Sequence, residues 1–336
     1  MVLEAINKNG ILMIEYFSVS NCDHNLISEN YELFQRLFPL INSVAPTDMP
    51  VLIIGETGTR KSLLARLIHN NSKRKRGRLL IVDCRNPDVN ALEIELFGYE
   101  QNKTKQVIGK LEQSNGGSIL LDEVGSAPNM IQARLLKIIQ DQEIYRVGGT
   151  DVVSIDVRII ATTSDDLEFA VRAGRFRKDL FYRLAVFPIF IHPLRTFQDD
   201  VKFLADHLLK TIAYRTNKPI ISISDDAMKL LMDYDWPGNV RELEEVIEYA
   251  TRVEESDKLQ PESLPEYINS GYKLKTAFQF NDLEDEIIPL EEAEKQAIIY
   301  AMKVTGNNIQ MMAKALGINR ATLCRKLEKY NLIANQ

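Results

Sequence analysis

The sequence predicts an α/β chain in which a doubly wound parallel sheet is followed by a helical subdomain and then by a small all-α domain. Short apolar strands alternate with helices between residues 26 and 193, and after Pro193 the patterns are helical alone. The predicted strands lie at residues 51–54, 79–82, 118–121 and 157–162. Their continuous apolar character is typical of a parallel sheet that helices cover on both faces.

Helical patterns fill the segments between these strands and most of the chain after them. We predict helices at residues 31–44, 62–70, 131–140, 201–214, 225–233 and 240–253. The resulting organisation is an unassigned N-terminal extension (1–25, with a strand pattern at 11–17), an α/β subdomain (26–193), a helical subdomain (194–268), a polar linker (269–289) and a C-terminal domain (290–336).

Composition narrows the class of protein. The 336 residues are 45% hydrophobic and 26% charged, which is ordinary for a globular chain. No apolar run approaches the roughly 20 residues that span a bilayer, and no secretory signal is recognisable. Cys22, Cys84 and Cys324 are scattered, so we expect a reducing, cytoplasmic location and no membrane partner. The net charge of -6 argues against non-specific coating of nucleic acid, but it leaves room for one basic DNA-reading face.

An eight-residue segment between the first strand and the next helix has the sequence and the context of a phosphate-binding P-loop. It consists of Gly55, Glu56, Thr57, Gly58, Thr59, Arg60, Lys61 and Ser62. Its backbone N–H groups would surround phosphates at the positive end of the helix. Lys61 would reach the β- and γ-phosphates, and the Ser62 hydroxyl would ligate Mg²⁺. Arg60 stands where a P-loop usually has glycine, so its side chain either crowds the loop or adds a phosphate contact.

A later apolar strand ends in two carboxylates, Asp122 and Glu123. Alone, this pattern is commonplace and structural. After a P-loop it predicts that Asp122 organises magnesium and that Glu123 polarises the attacking water. Together the two segments predict a site for ATP or ADP with Mg²⁺.

Several further stretches together resemble one family, the AAA+ activators of sigma-54 RNA polymerase, also called bacterial enhancer-binding proteins. The matching stretches are residues 44–48, 95–98, 116–117, 145–149, 174–184 and 236–243. The resemblance runs from about residue 26 to the C-terminus, and no receiver domain is recognisable before it. It implies an AAA+ sheet with a helical lid subdomain, followed by a Fis-type helix-turn-helix domain.

The resemblance also implies roles at matching positions. Arg177 and Arg183 match the arginine fingers that reach into a neighbouring subunit's nucleotide site, which implies a ring oligomer, often a hexamer. Arg241 matches the sensor arginine of the lid, and Thr163 matches part of the first sensor. Taken singly, each of these arginines is better explained as a surface ion pair.

Four functional positions depart from the family pattern. The remodelling loop Gly-Ala-Phe-Thr-Gly-Ala, which grips the sigma factor, is missing from residues 101–109, and the segment is several residues shorter. Asp83 replaces an asparagine that restrains the catalytic glutamate, Ser164 replaces the sensor asparagine, and Arg60 replaces glycine. These departures suggest that sigma-54 remodelling is lost and that hydrolysis is weak or lost.

The C-terminal segment has the pattern of a helix-turn-helix. We predict helices at 291–305, 309–316 and 320–330, with Gly317 in the turn and Asn319 as the N-cap of the last helix. The apolar stripe consists of Ile309, Met312, Ala313, Leu316, Ile318, Leu323 and Leu327. The predicted DNA contacts are Asn319, Arg320, Thr322, Arg325, Lys326 and Lys329.

This segment resembles the Fis-type helix-turn-helix, most closely at residues 317–323. The resemblance implies binding to specific double-stranded DNA, with the first helix forming a dimer over a palindromic site. The alternative is a plain helical hairpin with a solvated basic face. A second basic run, residues 73–78, is interpreted as a solvated loop.

Three hypotheses stay open. The favoured one is a DNA-binding transcription regulator with an ATP-binding AAA+ core that does not remodel sigma-54 polymerase; RNA polymerase is then still a candidate partner. The second is a working sigma-54-dependent ATPase activator with an unusual loop. The third is a non-hydrolysing AAA+ scaffold that oligomerises or senses another ligand.

Overall fold

The computed structural model describes residues 32–102, 105–269 and 320–330, together with the isolated positions 294, 298, 302, 309, 312 and 313. The chain divides into two compact units, residues 1–274 and 275–336. The predicted strand at 11–17, most of the linker predicted at 269–289 and the predicted turn at 317–319 lie outside the described residues.

Strands and helices alternate through the first unit. The strands are β1 (Val51–Gly55), β2 (Leu79–Asp83), β3 (Tyr99–Asn102), β4 (Lys105–Val107), β5 (Ser118–Asp122), β6 (Glu143–Tyr145), β7 (Val152–Ser154), β8 (Arg158–Thr163), β9 (Phe187–Ile191), β10 (Ser222–Ile223) and β11 (Lys258–Leu259). The α-helices are α1 (Glu32–Val44), α2 (Lys61–Asn70), α3 (Val89–Phe97), α4 (Lys110–Gln113), α5 (Asn129–Asp141), α6 (Leu167–Arg172), α7 (Lys178–Leu184), α8 (Gln198–Thr216), α9 (Asp225–Asp233), α10 (Asn239–Val253) and α11 (Glu266–Asn269).

The central sheet has five parallel strands in the order β2-β5-β8-β1-β9. Successive side chains of a strand point to opposite faces, so each strand feeds two cores. In β1, Leu52 packs in one core while Val51 and Ile53 pack in the other. Because both faces are covered, the strand sequences are continuously apolar. The predicted parallel α/β sheet is confirmed, and four of its strands are those predicted from the sequence.

The fifth strand, β9, was not expected from the sequence. It lies at the edge of the sheet and alternates between buried Ile189 and Ile191 and exposed Pro188 and Phe190. A proline cannot donate to a strand ladder, so Pro188 argues against a strand in the sequence and is tolerated here only because β9 is an edge.

A buried arginine fixes the end of α1 on the sheet. Arg158 at the start of β8 is 1% exposed, and its guanidinium donates to the carbonyls of Val44 and Ala45 at 2.8 Å each. The last turn of a helix leaves its carbonyls without partners inside the helix, and the Val44 carbonyl also accepts from the Thr47 N–H at 3.0 Å. Burial lowers the pKa of Arg158 from its ordinary value.

The basic run at 73–78 is partly structural. Arg74 donates to Asp48 at 2.7 Å and to Asp156 at 2.6 Å, and its side chain is 15% exposed. The interpretation of this run as a solvated loop is therefore wrong for Arg74. The reason is that two acidic residues, distant in sequence, converge on its guanidinium.

The helical subdomain packs on the same core as one face of the sheet. Helices α8, α9 and α10 surround Trp236, which is fully buried and donates its Nε1–H to the Leu231 carbonyl at 2.8 Å. Tyr234 packs edge-on against the indole, with ring centroids 5.1 Å apart. The segment that connects α9 to α10 is thereby held in one place.

The second unit contains helix α12 (Arg320–Lys329), and residues 294, 298, 302, 309, 312 and 313 are also helical. Its core contains Ile298, Met312, Ala313, Leu323 and Leu327, with Met302, Ile309 and Tyr330 packed against them. The predicted apolar stripe is confirmed at its described positions. No helix in the described part of either unit is long and apolar enough to cross a membrane.

Candidate functional site

The predicted phosphate loop connects β1 to α2. Lys61, the first residue of α2, donates its ammonium to the carbonyls of Gly55 at 2.8 Å and Glu56 at 3.2 Å. It also pairs with Glu123 at 2.8 Å, and both side chains are buried. A buried charge is tolerated only with such partners. The loop therefore holds its lysine folded back over its own backbone.

The predicted magnesium residues come together across the sheet. Asp122 ends β5, and its Oδ1 accepts a hydrogen bond from the Ser62 hydroxyl at 3.2 Å. The same oxygen accepts from Thr162 Oγ1 at 2.6 Å. A carboxylate beside a hydroxyl is the oxygen donor set that magnesium takes alongside phosphate. The residues present fit the ion.

Glu123 is held at both carboxylate oxygens. Its Oε1 pairs with Lys61, and its Oε2 accepts from the backbone N–H of Ser164 at 2.7 Å and from the Ser164 hydroxyl at 2.8 Å. Burial alone would raise the pKa of Glu123, but the hydrogen bonds from Lys61 and Ser164 outweigh it and hold the pKa below its ordinary value. Glu123 is therefore an anion with a fixed orientation.

Two of the departures from the family pattern can now be placed. Asp83 lies beside Asp122 in the β2–β5 register, and its carboxylate pairs with Arg85 at 2.7 Å. The Arg85 hydrogen bond holds the pKa of Asp83 below its ordinary value. Ser164, counted from the sequence as a departure, instead holds Glu123. Sequence reasoning missed this contact because Ser164 and Glu123 lie on different strand ends, which only the sheet order brings together.

Thr163, the residue that matches the sensor, faces its own turn. Its Oγ1 accepts from the backbone N–H of Asp165 at 3.1 Å, and Thr163 itself is fully buried in β8. Of the two neighbouring residues Thr163 and Ser164, Ser164 is therefore the one whose hydroxyl bonds to Glu123.

Arg60 adopts the backbone conformation of the glycine that it replaces. Its φ of 66° and ψ of 34° are left-handed, a conformation that costs an L-residue roughly 1–2 kcal/mol. The guanidinium pairs with Glu244 on α10. The loop therefore keeps its path, and the arginine side chain is directed to the lid.

The lid touches the loop through Asn239, the first residue of α10. Its side-chain amide donates to Glu56 Oε2 at 3.1 Å and to the Thr57 carbonyl at 3.0 Å, and its Oδ1 accepts from the Leu194 N–H at 2.8 Å. Asn239 is fully buried with φ 53°, which asparagine tolerates better than most residues.

Two further contacts strengthen this joint. Arg195, in a 3-10 turn (Leu194–Thr196), pairs with both oxygens of Glu56 at 2.6 and 2.8 Å, and this pairing lowers the pKa of Glu56. The backbone N–H of Arg241 donates to the Gly58 carbonyl at 3.3 Å, while the Arg241 side chain is exposed. A Cβ on Gly58 would lie 2.0 Å from the Gly238 carbonyl oxygen, so only glycine fits there.

The two predicted arginine fingers lie at α7. Arg177 precedes the helix and pairs with Asp179 at 2.7 Å, and Arg183 lies in its last turn. Both side chains are exposed, with Tyr182 beside them 63% exposed. The positions suit contact with another molecule.

The segment that replaces the remodelling loop is a short hairpin. Strands β3 and β4 pair antiparallel, with Asn102 opposite Lys105, so only residues 103 and 104 connect them. Buried Glu100 anchors the hairpin, since it accepts from Gln106 at 2.8 Å and from Arg146 at 3.1 Å. Arg146 directly follows β6, at the start of the connection between β6 and β7, the two strands of a second hairpin that the sequence does not predict either.

The predicted DNA contacts divide into two groups. Arg320, Arg325 and Lys329 are exposed on α12, whereas Thr322 is half-buried. Lys326 pairs with Glu294, which also accepts from the Tyr330 hydroxyl at 2.7 Å. Asn319 lies outside the described residues.

The phosphate loop, the carboxylates at the end of a neighbouring strand and the lid seated on the loop define the class: a P-loop domain of the AAA+ type. Consistent with this class, a model of the sigma-54 interaction domain matches residues 27–190, one of the AAA+ ATPase lid domain matches 195–279, and one of the Fis family of bacterial regulatory proteins matches 289–330. The chain belongs to the family of sigma-54-dependent activators, as its motifs predicted.

Similar proteins support this family assignment. The chain is 41% identical to the transcriptional regulatory protein ZraR of Escherichia coli K12 over 299 residues, which cover 88% of this chain and 66% of ZraR. It is similar to the crystal structure of NtrX from Brucella abortus in complex with ADP, with a TM-score of 0.69, 34% identity and coverage of 91% of this chain and 70% of NtrX. NtrX in complex with ATP gives a TM-score of 0.68 at 32% identity, covering 91% of this chain and 69% of NtrX.

Proposed function

We propose that this chain is a DNA-bound transcription regulator that binds ATP or ADP with Mg²⁺ and acts without remodelling sigma-54 polymerase. The short β3–β4 hairpin carries the proposal. In the family this position holds the loop that grips the sigma factor, and here only residues 103 and 104, Lys and Thr, lie between the paired strands. Neither is aromatic.

Nucleotide binding follows from the loop and the two strand ends. Lys61 would exchange the carbonyls of Gly55 and Glu56 for phosphate oxygens, which are stronger partners because they are charged. Ser62 and Asp122 would hold magnesium, which neutralises phosphate charge when bound. Glu123, already an oriented anion, would position a water. The relative NtrX is known in complex with ADP and with ATP, which supports the same ligands here.

DNA binding is assigned to α12. Arg320, Arg325 and Lys329 are exposed cations on a helix that a small apolar core supports. Such a helix can enter the major groove, with some side chains on phosphates and others on base edges. We infer a dimer for this function, and a ring of copies for the nucleotide site, where Arg177 and Arg183 would face a neighbour's phosphates.

In vitro transcription with sigma-54 polymerase tests the proposal. We expect specific footprints on duplex DNA but no ATP-dependent open complexes from the wild-type chain. A Lys61→Ala variant is the matched control, because it removes the phosphate-binding ammonium and leaves α12 intact. Robust open-complex formation by the wild type that Lys61→Ala abolishes would refute the loss of remodelling.

A second function, active ATP hydrolysis in support of sigma-54 activation, is favoured by one observation. Glu123 is held at both oxygens by Lys61 and Ser164, so a catalytic carboxylate remains in place despite the substituted positions. Turnover measured at high protein concentration tests the hydrolysis, and the transcription assay tests the remodelling. This candidate requires hydrolysis that falls at least about tenfold in Glu123→Ala, and it fails if wild type and variant are equally inactive.

A further inference from the structure

Arg60 links the phosphate loop to the lid by charge. Its Nη2 pairs with Glu244 Oε2 on α10, and the two side chains are each 31% exposed. Arg60 is also the N-cap of α2 and immediately precedes Lys61. One ion pair thus joins the start of the phosphate-binding helix to the lid helix.

The remaining contacts of this joint do not use the charge of Arg60. The Arg241 N–H donates to the Gly58 carbonyl, and Asn239 donates to the Thr57 carbonyl. Arg241 and Glu244 are three residues apart on α10, so they lie on one face of the helix. The Arg60–Glu244 pair lies about one helical turn beyond these contacts, and the Arg195–Glu56 ion pair of the same joint does not involve Arg60.

A bound nucleotide would change the charge balance at this pair. Its phosphates would lie at the N-terminus of α2, beside Arg60. One guanidinium would then face two anions, the phosphates and Glu244, which repel each other. Phosphate is the more highly charged of the two, so the guanidinium would favour it.

We propose that Arg60 and Glu244 form a charge-exchange latch. Without nucleotide, Arg60 holds α10 to the loop through Glu244; with nucleotide, Arg60 binds the polyphosphate and Glu244 is released, which frees this part of the lid. The latch rests on the proposed nucleotide binding. Coupling of this kind is reciprocal, so Glu244 lowers nucleotide affinity as much as nucleotide weakens the lid contact.

Calorimetry on the full chain tests the latch. Its two probes are ATP and tripolyphosphate, which lacks the base and the sugar. Glu244→Gln removes the competing anion and is expected to tighten binding of both probes roughly two- to fivefold, the range for a partly exposed ion pair. In an Arg60→Gly background the same substitution should have no effect. Glu245→Gln, on the exposed neighbour, is the matched control and should leave affinity unchanged.

Hydrogen exchange gives a second readout, in which the comparison of the variants with the wild type needs no ligand. The Arg241 amide, bonded to the Gly58 carbonyl, should exchange faster in Glu244→Gln and in Arg60→Gly than in the wild type, and ATP should have the same effect on the wild type. The latch is overturned if Glu244→Gln tightens binding equally in the Arg60→Gly background. It is also overturned if Glu244→Gln changes neither the probe affinity nor the exchange rate of the Arg241 amide. If the wild type binds neither probe, the proposed nucleotide function fails and the latch fails with it. If the wild type binds both probes and Glu244→Gln changes neither affinity, only the latch is overturned.

Discussion

At the scale of single residues, the site is organised by side chains that bond to backbone. Asn239 is the clearest case, since its amide bonds to the loop and to the segment that enters the lid. Ser164 bonds to Glu123 through both its N–H and its hydroxyl. Neither residue carries a charge. Both nevertheless decide where charged groups stand, which is why a substitution at either position changes geometry before it changes chemistry.

Asn239→Asp should destabilise the lid by about 2–3 kcal/mol. The variant loses two amide donors in a buried position and sets a carboxylate beside Glu56, and unsatisfied or charged buried groups cost this much. Urea unfolding followed by fluorescence measures it, because Trp236 is the one tryptophan of the sequence and lies in the lid.

A double variant separates repulsion from lost hydrogen bonds. Adding Glu56→Gln to Asn239→Asp removes the negative partner, so the double variant should lose less stability than the two single variants together, although Glu56→Gln alone also loses the Arg195 ion pair. Strict additivity would show that the carboxylates do not interact.

At the scale of elements, what could be predicted depended on length and burial. Strands buried on both faces are continuously apolar, and the sequence predicts them correctly. The sequence does not predict β9, because it contains Pro188, or the hairpin strands, because they have four residues or fewer. The site divides in the same way. The P-loop, Asp122 and Glu123 stand in local patterns, but the partners Ser164, Asn239 and Glu244 are defined only by how the elements pack.

Replacing residues 103–104 by Gly-Ala-Phe-Thr-Gly-Ala should cost little stability. The hairpin is anchored at its base by Glu100 and Arg146, so a longer tip adds only closure entropy, about 1 kcal/mol for this change. Urea unfolding of the variant and the wild type checks this. A loss of several kcal/mol would mean that the tip itself supports the fold.

The turn after α10 should be acid-sensitive. Glu254 accepts from the N–H and hydroxyl of Ser256, from the Gln260 N–H and from the Ser263 hydroxyl, at 2.7–2.9 Å. Burial opposes ionisation, but these bonds lower the pKa of Glu254 from 4.5 to about 2. Because the folded pKa is depressed, the stabilisation is complete above about pH 4.5 and is lost as the pH falls toward 2.

Glu254→Gln should therefore cost about 1–3 kcal/mol at pH 7, and the difference from the wild type should shrink as the pH approaches 3. The same Trp236 fluorescence reports it. Glu262→Gln, an exposed residue of the adjacent 3-10 turn (Pro261–Ser263), is the matched control and should cost little at either pH. A pH-independent difference would contradict the assignment.

At the scale of the whole molecule, the chain assigns its two proposed ligands to different units. The nucleotide groups lie in residues 1–274 and the basic face of α12 lies in residues 275–336. Each unit has a core of its own. The two binding functions should consequently be separable by substitution.

Arg325→Ala should lower affinity for specific duplex DNA roughly five- to hundredfold, because it removes an exposed cation from the recognition helix. ATP affinity should not change. Lys61→Ala should lower the affinity for ATP and leave the affinity for DNA unchanged. Lys258 is an exposed cation of the first unit, and Lys258→Ala should alter neither affinity. Fluorescence anisotropy at a fixed salt concentration measures DNA binding, and calorimetry measures ATP binding.

Lys326→Ala is expected to act differently from Arg325→Ala, since Lys326 pairs with Glu294 and its loss should lower the stability of the second unit as well. If Arg325→Ala and Lys258→Ala bind DNA equally well, α12 is not the recognition helix.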